Sequence, residues 1–115
     1  MDEKLSHAIE VANFNTSLTA QRHMYKTKFD NDCLYAHNGG LFEITENLLS
    51  YVDLLIRHEH VGFILIDKNN NPIMVDNLET FFSDILEKYS MASNSYYASI
   101  SKLRRKRMVS RLVQK

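Results

Sequence analysis

Tryptophan is absent from this 115-residue chain, cysteine and proline occur once each, and glycine only three times. A lone thiol, Cys33, forms no internal disulfide, so the fold must rest on its apolar core and is expected to suit a reducing compartment. One proline, Pro72, and three glycines, Gly39, Gly40 and Gly62, leave long stretches without a helix breaker. Leu, Ile, Lys, Glu, Ala and Ser are plentiful, which biases the whole toward helix. No apolar run approaches the roughly 20 residues of a membrane helix, and the acidic start Met1-Asp2-Glu3-Lys4 leads into none. Neither a membrane span nor a secretory signal is therefore expected, and the chain reads as soluble and intracellular.

Acidic residues are missing from the last fourteen positions. Residues 102–115 hold seven cations (Lys102, Arg104, Arg105, Lys106, Arg107, Arg111, Lys115), while residues 1–101 hold seven cations and all fourteen acids. The formal net charge of zero thus divides into −7 and +7. The length suits one domain able to bury its own core. On this basis residues 1–101 are expected to form a single α+β domain and 102–115 a basic extension of the last helix.

Along the first third, Val11, Phe14, Leu18, Tyr25, Phe29, Cys33 and Ala36 recur at steps of three, four or seven, with Gln21 or Arg22 filling the missing step. This predicts an amphipathic helix from about Asp2 to Ala36, ending at His37-Asn38-Gly39-Gly40. Leu5, Ala8, Ile9 and Ala12 form an adjoining stripe that a partner chain could cover. Asn13, Asn15, Thr16 and Thr19 are weak helix formers, and Asn15 marks the place for a break. Thr45 reads as an N-cap for a second helix carried by Leu48, Leu49, Val52, Leu55 and Ile56 to about Arg57.

Val61 to Val75 is two apolar runs around Asp67-Lys68-Asn69-Asn70-Asn71-Pro72, the pattern of a buried hairpin. Leu41–Ile44 alternates and is expected to add a third strand to it, because two strands alone are marginal. Asp76-Asn77-Leu78-Glu79 has the form of a capping box with Asp76 at the cap. Beyond it Phe82, Leu86, Tyr89, Ser93, Tyr96, Ile100 and Leu103 hold a seven-residue repeat, predicting one long helix. Met91-Ala92-Ser93-Asn94-Ser95 is its one candidate interruption. The fold expected is α+β, mostly helical, with a small antiparallel sheet packed on helices.

Chemistry-bearing motifs are sparse. His58-Glu59-His60 and the Cys33/His37 pair carry ligand-type side chains, but zinc sites pair Cys or His at both ends of a loop and only one Cys exists. Cys33 lies on an apolar stripe, where a thiol is core rather than nucleophile. There is no Gly-rich phosphate loop, no Gly-x-Ser-x-Gly and no His-Glu-x-x-His. The expectation is a non-enzyme with no cofactor and no metal. The functional signal is the tail, where five charges in six residues from Lys102 attract phosphates or acidic protein surfaces. Tyr96 and Tyr97 upstream could stack on bases. Asp76, Glu79, Asp84 and Glu87 on the same helix offer counter-charge to an antiparallel neighbour. Leu103, Met108, Val109 and Leu112 add the apolar residues of a docking segment.

Asn38-Gly39-Gly40-Leu41-Phe42, Ile66-Asp67-Lys68-Asn69-Asn70-Asn71-Pro72-Ile73 and Asn94-Ser95-Tyr96-Tyr97 with its basic sequel resemble segments of small uncharacterised proteins encoded by T4-like tailed phages. The similarity covers roughly residues 34–107 and includes no catalytic or ligand motif. It implies a virus-encoded protein of the bacterial host cytoplasm or the virion, and it carries over no site residues. The expected function is structural or assembly work by self-association or docking to other phage proteins. Tyr96, Ile100 and Leu103 are the expected helix contacts, and Arg104, Arg105, Lys106, Arg107 and Arg111 the charged ones. The alternative is a nucleic-acid-binding or transcription-modulating factor using the same tail.

Overall fold

A computed structural model describes residues 2–113; Lys115 and the Arg111 side chain, both assigned to the basic tail, lie outside the described residues. The chain order is α1 (Asp2–Asp32), β1 (Leu34–His37), β2 (Gly40–Glu43), α2 (Glu46–Arg57), β3 (Phe63–Ile66), β4 (Pro72–Val75) and α3 (Leu78–Val113). It is a mostly helical α+β fold with two small antiparallel hairpin sheets and a long C-terminal helix. By backbone proximity the chain forms two compact units, one of residues 29–94 and one of residues 1–28 with 95–115.

Helix α1 runs unbroken through Asn15. The hydroxyls of Thr16, Thr19 and Thr27 donate to the carbonyls of Ala12, Asn15 and His23 at 2.9–3.0 Å, so these side chains are satisfied within the helix. The helix ends four residues earlier than the apolar spacing predicted. Leu34–His37 is strand instead, and Asn38-Gly39 is the two-residue turn of a hairpin rather than a helix cap. Both turn residues are left-handed, with φ of 49° and 80°, the geometry for which Asn-Gly is preferred. Across this hairpin Tyr35 opposes Phe42 and His37 opposes Gly40.

Leu41–Ile44 therefore pairs with β1 and does not extend the second hairpin. In β3–β4, Phe63 opposes Val75 and Ile66 opposes Pro72. The two hairpins meet at Asp67, which is 6% exposed. Its Oδ2 accepts the Leu41 N–H at 3.0 Å, and its Oδ1 accepts those of Asn69 and Asn71 at 3.0 and 2.8 Å. The Lys68 N–H donates in turn to the Leu41 carbonyl at 2.8 Å. Those backbone N–H bonds, Leu41 first, hold the Asp67 carboxyl below its ordinary range. Gly40 lies against Ile73, and a Cβ there would come within 2.5 Å of Ile73 Cγ1.

Helix α2 is capped as its sequence predicts, Thr45 Oγ1 accepting the Leu48 N–H at 3.1 Å, and it buries Val52 and Leu55. For α3 the cap is one residue later than expected. Asn77 Oδ1 accepts the Thr80 N–H at 3.1 Å, so Asn77 and not Asp76 closes the first turn. The helix continues through Ser93 without interruption.

The core of the 29–94 unit gathers Phe42, Ile44, Val52, Leu65, Val75, Leu78, Phe81 and Ile85, each 3% exposed or less. Phe81 is its hub, with the rings of Phe42, His37 and Tyr35 edge-on at 5.2, 5.2 and 5.7 Å. The inward stripe of α3 thus starts at Leu78, Phe81 and Ile85; Phe82, which the heptad placed there, is only half-buried and Leu86 is exposed. The Tyr35 hydroxyl donates to Asp84 Oδ2 at 3.1 Å. Burial, then that bond and the Asp84 charge, raise the Tyr35 pKa.

Candidate functional site

The unit of residues 1–28 and 95–115 contains only helix among its described residues: the first part of α1 and the second part of α3. Its apolar spine on α1 is Val11, Phe14, Leu18 and Tyr25, all half-buried, with Gln21 completing the series. On α3, Leu103 is 4% exposed, and Tyr96 and Ile100 are half-buried. Those three residues, read from the sequence as helix contacts, are thus largely committed within the chain. The large apolar residues left outward are Leu5, Ile9 and Met24 on α1 and Tyr97, Met108, Val109 and Leu112 on α3, each more than half exposed.

Charge follows the same division. Residues 1–28 with 95–115 carry eleven Lys and Arg against three Asp and Glu, a net of +8; residues 29–94 carry three against eleven, a net of −8. The change of charge at residue 102 lies inside the helical unit, and Arg22, Lys26 and Lys28 of α1 belong to the same basic body.

Within this unit a groove of about 520 Å³ runs between the two helices. Asn15, Leu18, Thr19 and Arg22 line it from α1, and Leu103, Arg104 and Arg107 from α3. The spacings explain the grouping: 15, 18, 19 and 22 share one face of a helix, and 104 and 107 lie one turn apart. Arg105 and Lys106, about 100° and 200° further round from Arg104, turn elsewhere. Leu18 and the buried Leu103 supply apolar surface; Asn15, Thr19 and three guanidiniums supply polar groups. Among the described residues no acidic side chain lines the groove, and none of the three guanidiniums is ion-paired. By contrast Arg57 of α2 meets Asp53 at 2.8 Å.

Arg22, which the periodicity offers only as an alternative to Gln21 in the α1 stripe, lines the groove instead. The Asn15–Leu18–Thr19–Arg22 spacing was visible, but nothing local told which stretch of α3 would face it. The Gln21 Oε1 atom, on the spine beside Arg22, is buried with no hydrogen-bond partner among the described residues, while Gln21 Nε2 reaches Ser17 Oγ at 3.4 Å.

The other candidates are not assembled into a site. Cys33 is buried in the turn after α1; His37 stacks on Tyr35 within the aromatic cluster; His58, Glu59 and His60 are exposed, with Glu59 at φ 65°. Among the described residues no three His, Cys, Asp or Glu side chains are grouped to hold a metal ion, and no helix is long and apolar enough to cross a membrane. No protein-family model, curated protein or solved structure matches the chain.

Proposed function

We propose that the protein is a non-enzymatic structural or assembly factor of a tailed phage, working by docking and self-association through its basic helical unit. The observation that carries this reading is the division of charge. A unit of net +8 and one of net −8 in the same chain make each copy a complement to the next. The exposed Met108, Val109 and Leu112, interleaved with the cations, supply the apolar contact that charge alone lacks. The resemblance of residues 34–107 to small phage proteins supplies the setting.

Light-scattering mass at about 50 and 200 mM salt tests the reading, since exposed charge pairs are screened over this range. The expected result is a mass above the 13.4 kDa of one chain at the lower salt, falling as salt rises. Met108→Asp with Leu112→Asp, both at exposed positions, should reduce it to one chain. A mass of one chain at both salts would overturn self-association.

A second reading, nucleic-acid binding, is favoured by Tyr97, a residue 70% exposed on the same stretch of α3 as the cations. Anisotropy of short labelled DNA decides it. Changing Arg104, Arg105 and Arg107 to Ala should lower both affinity and its salt slope, and retention of both excludes the tail as the phosphate contact.

A further inference from the structure

We propose that the groove between α1 and α3 is a discrete binding site for phosphoryl groups, held by the guanidiniums of Arg22, Arg104 and Arg107. This goes beyond docking, which draws on the charge of the whole unit and needs no particular cleft.

Three observations combine. First, three arginines from two helices share one groove, and among the described residues no carboxylate lines it or pairs with them. Like charges gathered without a partner repel one another, and a multivalent anion relieves that repulsion. Second, the residues are arginines, whose planar forks bind phosphoryl oxygens two at a time. One carboxylate would leave two of the three guanidiniums without a counter-ion, whereas a di- or triphosphate, or consecutive phosphates of a strand, matches them. Third, about 520 Å³ lies within the range of small-ligand sites, and Leu18 with Leu103 offers apolar surface for a ring carried by the phosphates. The ligand class is therefore a nucleotide or a nucleic-acid strand, read through the chemistry they share.

The test is fluorescence anisotropy of the full chain with three probes: a labelled ATP, the same probe competed by inorganic pyrophosphate, and a short labelled single-stranded DNA. Arg22→Ala, Arg104→Ala and Arg107→Ala should each weaken binding about tenfold. Arg105→Ala with Lys106→Ala, which removes two charges from the same block but none from the groove, should change it about threefold or less. Arg22→Ala is the decisive variant, because Arg22 is exposed and lies outside the C-terminal basic run. Far-UV circular dichroism checks that each variant keeps its helix.

ATP binding that pyrophosphate displaces and the three arginines control supports the site and identifies a free nucleotide. Binding of DNA alone, with the same arginine dependence, supports the site and identifies a strand. Binding of no probe at about 50 mM salt overturns the proposal. An equal loss in the Arg105/Lys106 variant also overturns it, since that is what undirected charge would give. Self-association is read separately as mass, so either proposal can fail without the other.

Discussion

Replacing Phe81 by Ala should cost more than any other single truncation in the 29–94 unit. Phe81 is 1% exposed, at the centre of three edge-on rings from β1 and β2. Truncating a buried Phe to Ala typically costs about 3–5 kcal/mol, through lost transfer energy and the cavity left behind. Three aromatic contacts, each worth about 0.5–1.5 kcal/mol beyond area, place this one near about 5 kcal/mol. Domains are stable by only about 5–15 kcal/mol, so the variant should be at or near the edge of folding. The adjacent Phe82, half-buried, should cost roughly half as much or less. Urea unfolding followed by circular dichroism measures both, with the slope m reporting whether the compactness of either state changed. If Phe82→Ala proves the costlier, the helix is buried on its heptad face instead, and the packing of the first hairpin on Phe81 is refuted.

Asp67 should shape the acid limb of the stability curve. Its folded-state pKa lies below its unfolded value, so its contribution is complete above about pH 4 and is lost as pH falls through the lower folded value. Asp67→Asn should therefore be less stable than wild type at pH 7 and show a shallower loss below pH 4; parallel limbs would contradict the clasp. Thr45→Ala should cost about 1 kcal/mol, because the Leu48 N–H loses its acceptor, and a midpoint unchanged in urea would show that solvent replaces the cap. Gly39→Ala should cost about 1–2 kcal/mol from its positive φ alone, since nothing lies within 4 Å of the added Cβ; Gly39→Asn should recover part of that.

The parts of the fold that were legible are those written in local chemistry. Thr45 before an acidic first turn fixed α2, and the polar turn between two apolar runs fixed β3–β4. The seven-residue repeat after residue 77 signals a long α3, while its continuity through Ser93 is not decided by the repeat and comes from the structure. The misreadings share a cause. Phe29, Cys33 and Ala36 fit a helical period, but Asn38-Gly39, a two-residue signal that specifies both φ values, outweighs it in the folded chain. The heptad from Phe82 to Leu103 meets the buried face at Leu103, but at its start it lies about one residue round from Leu78, Phe81 and Ile85, a difference set by tertiary packing. At the candidate site, the cations of α3 were evident from charge alone. Arg22 was not, because its role depends on a pairing of residues about eighty positions apart, which no local pattern encodes.

Asp67 also settles an ambiguity that apolar residues leave open. In β3–β4 both faces are apolar: Leu65 and Val75 are buried, yet Ile64, Ile66 and Met74 on the opposite face are just as greasy and stand 46–60% exposed. A slip of one residue along β3 would exchange the faces at little hydrophobic cost. It would also swing the carboxylate away from Leu41, Asn69 and Asn71 and leave their N–H groups unanswered. The hairpin's inside and outside are thus distinguished by one acid and not by oiliness. The strand pairing is proofread by a hydrogen-bonding group that belongs to the turn.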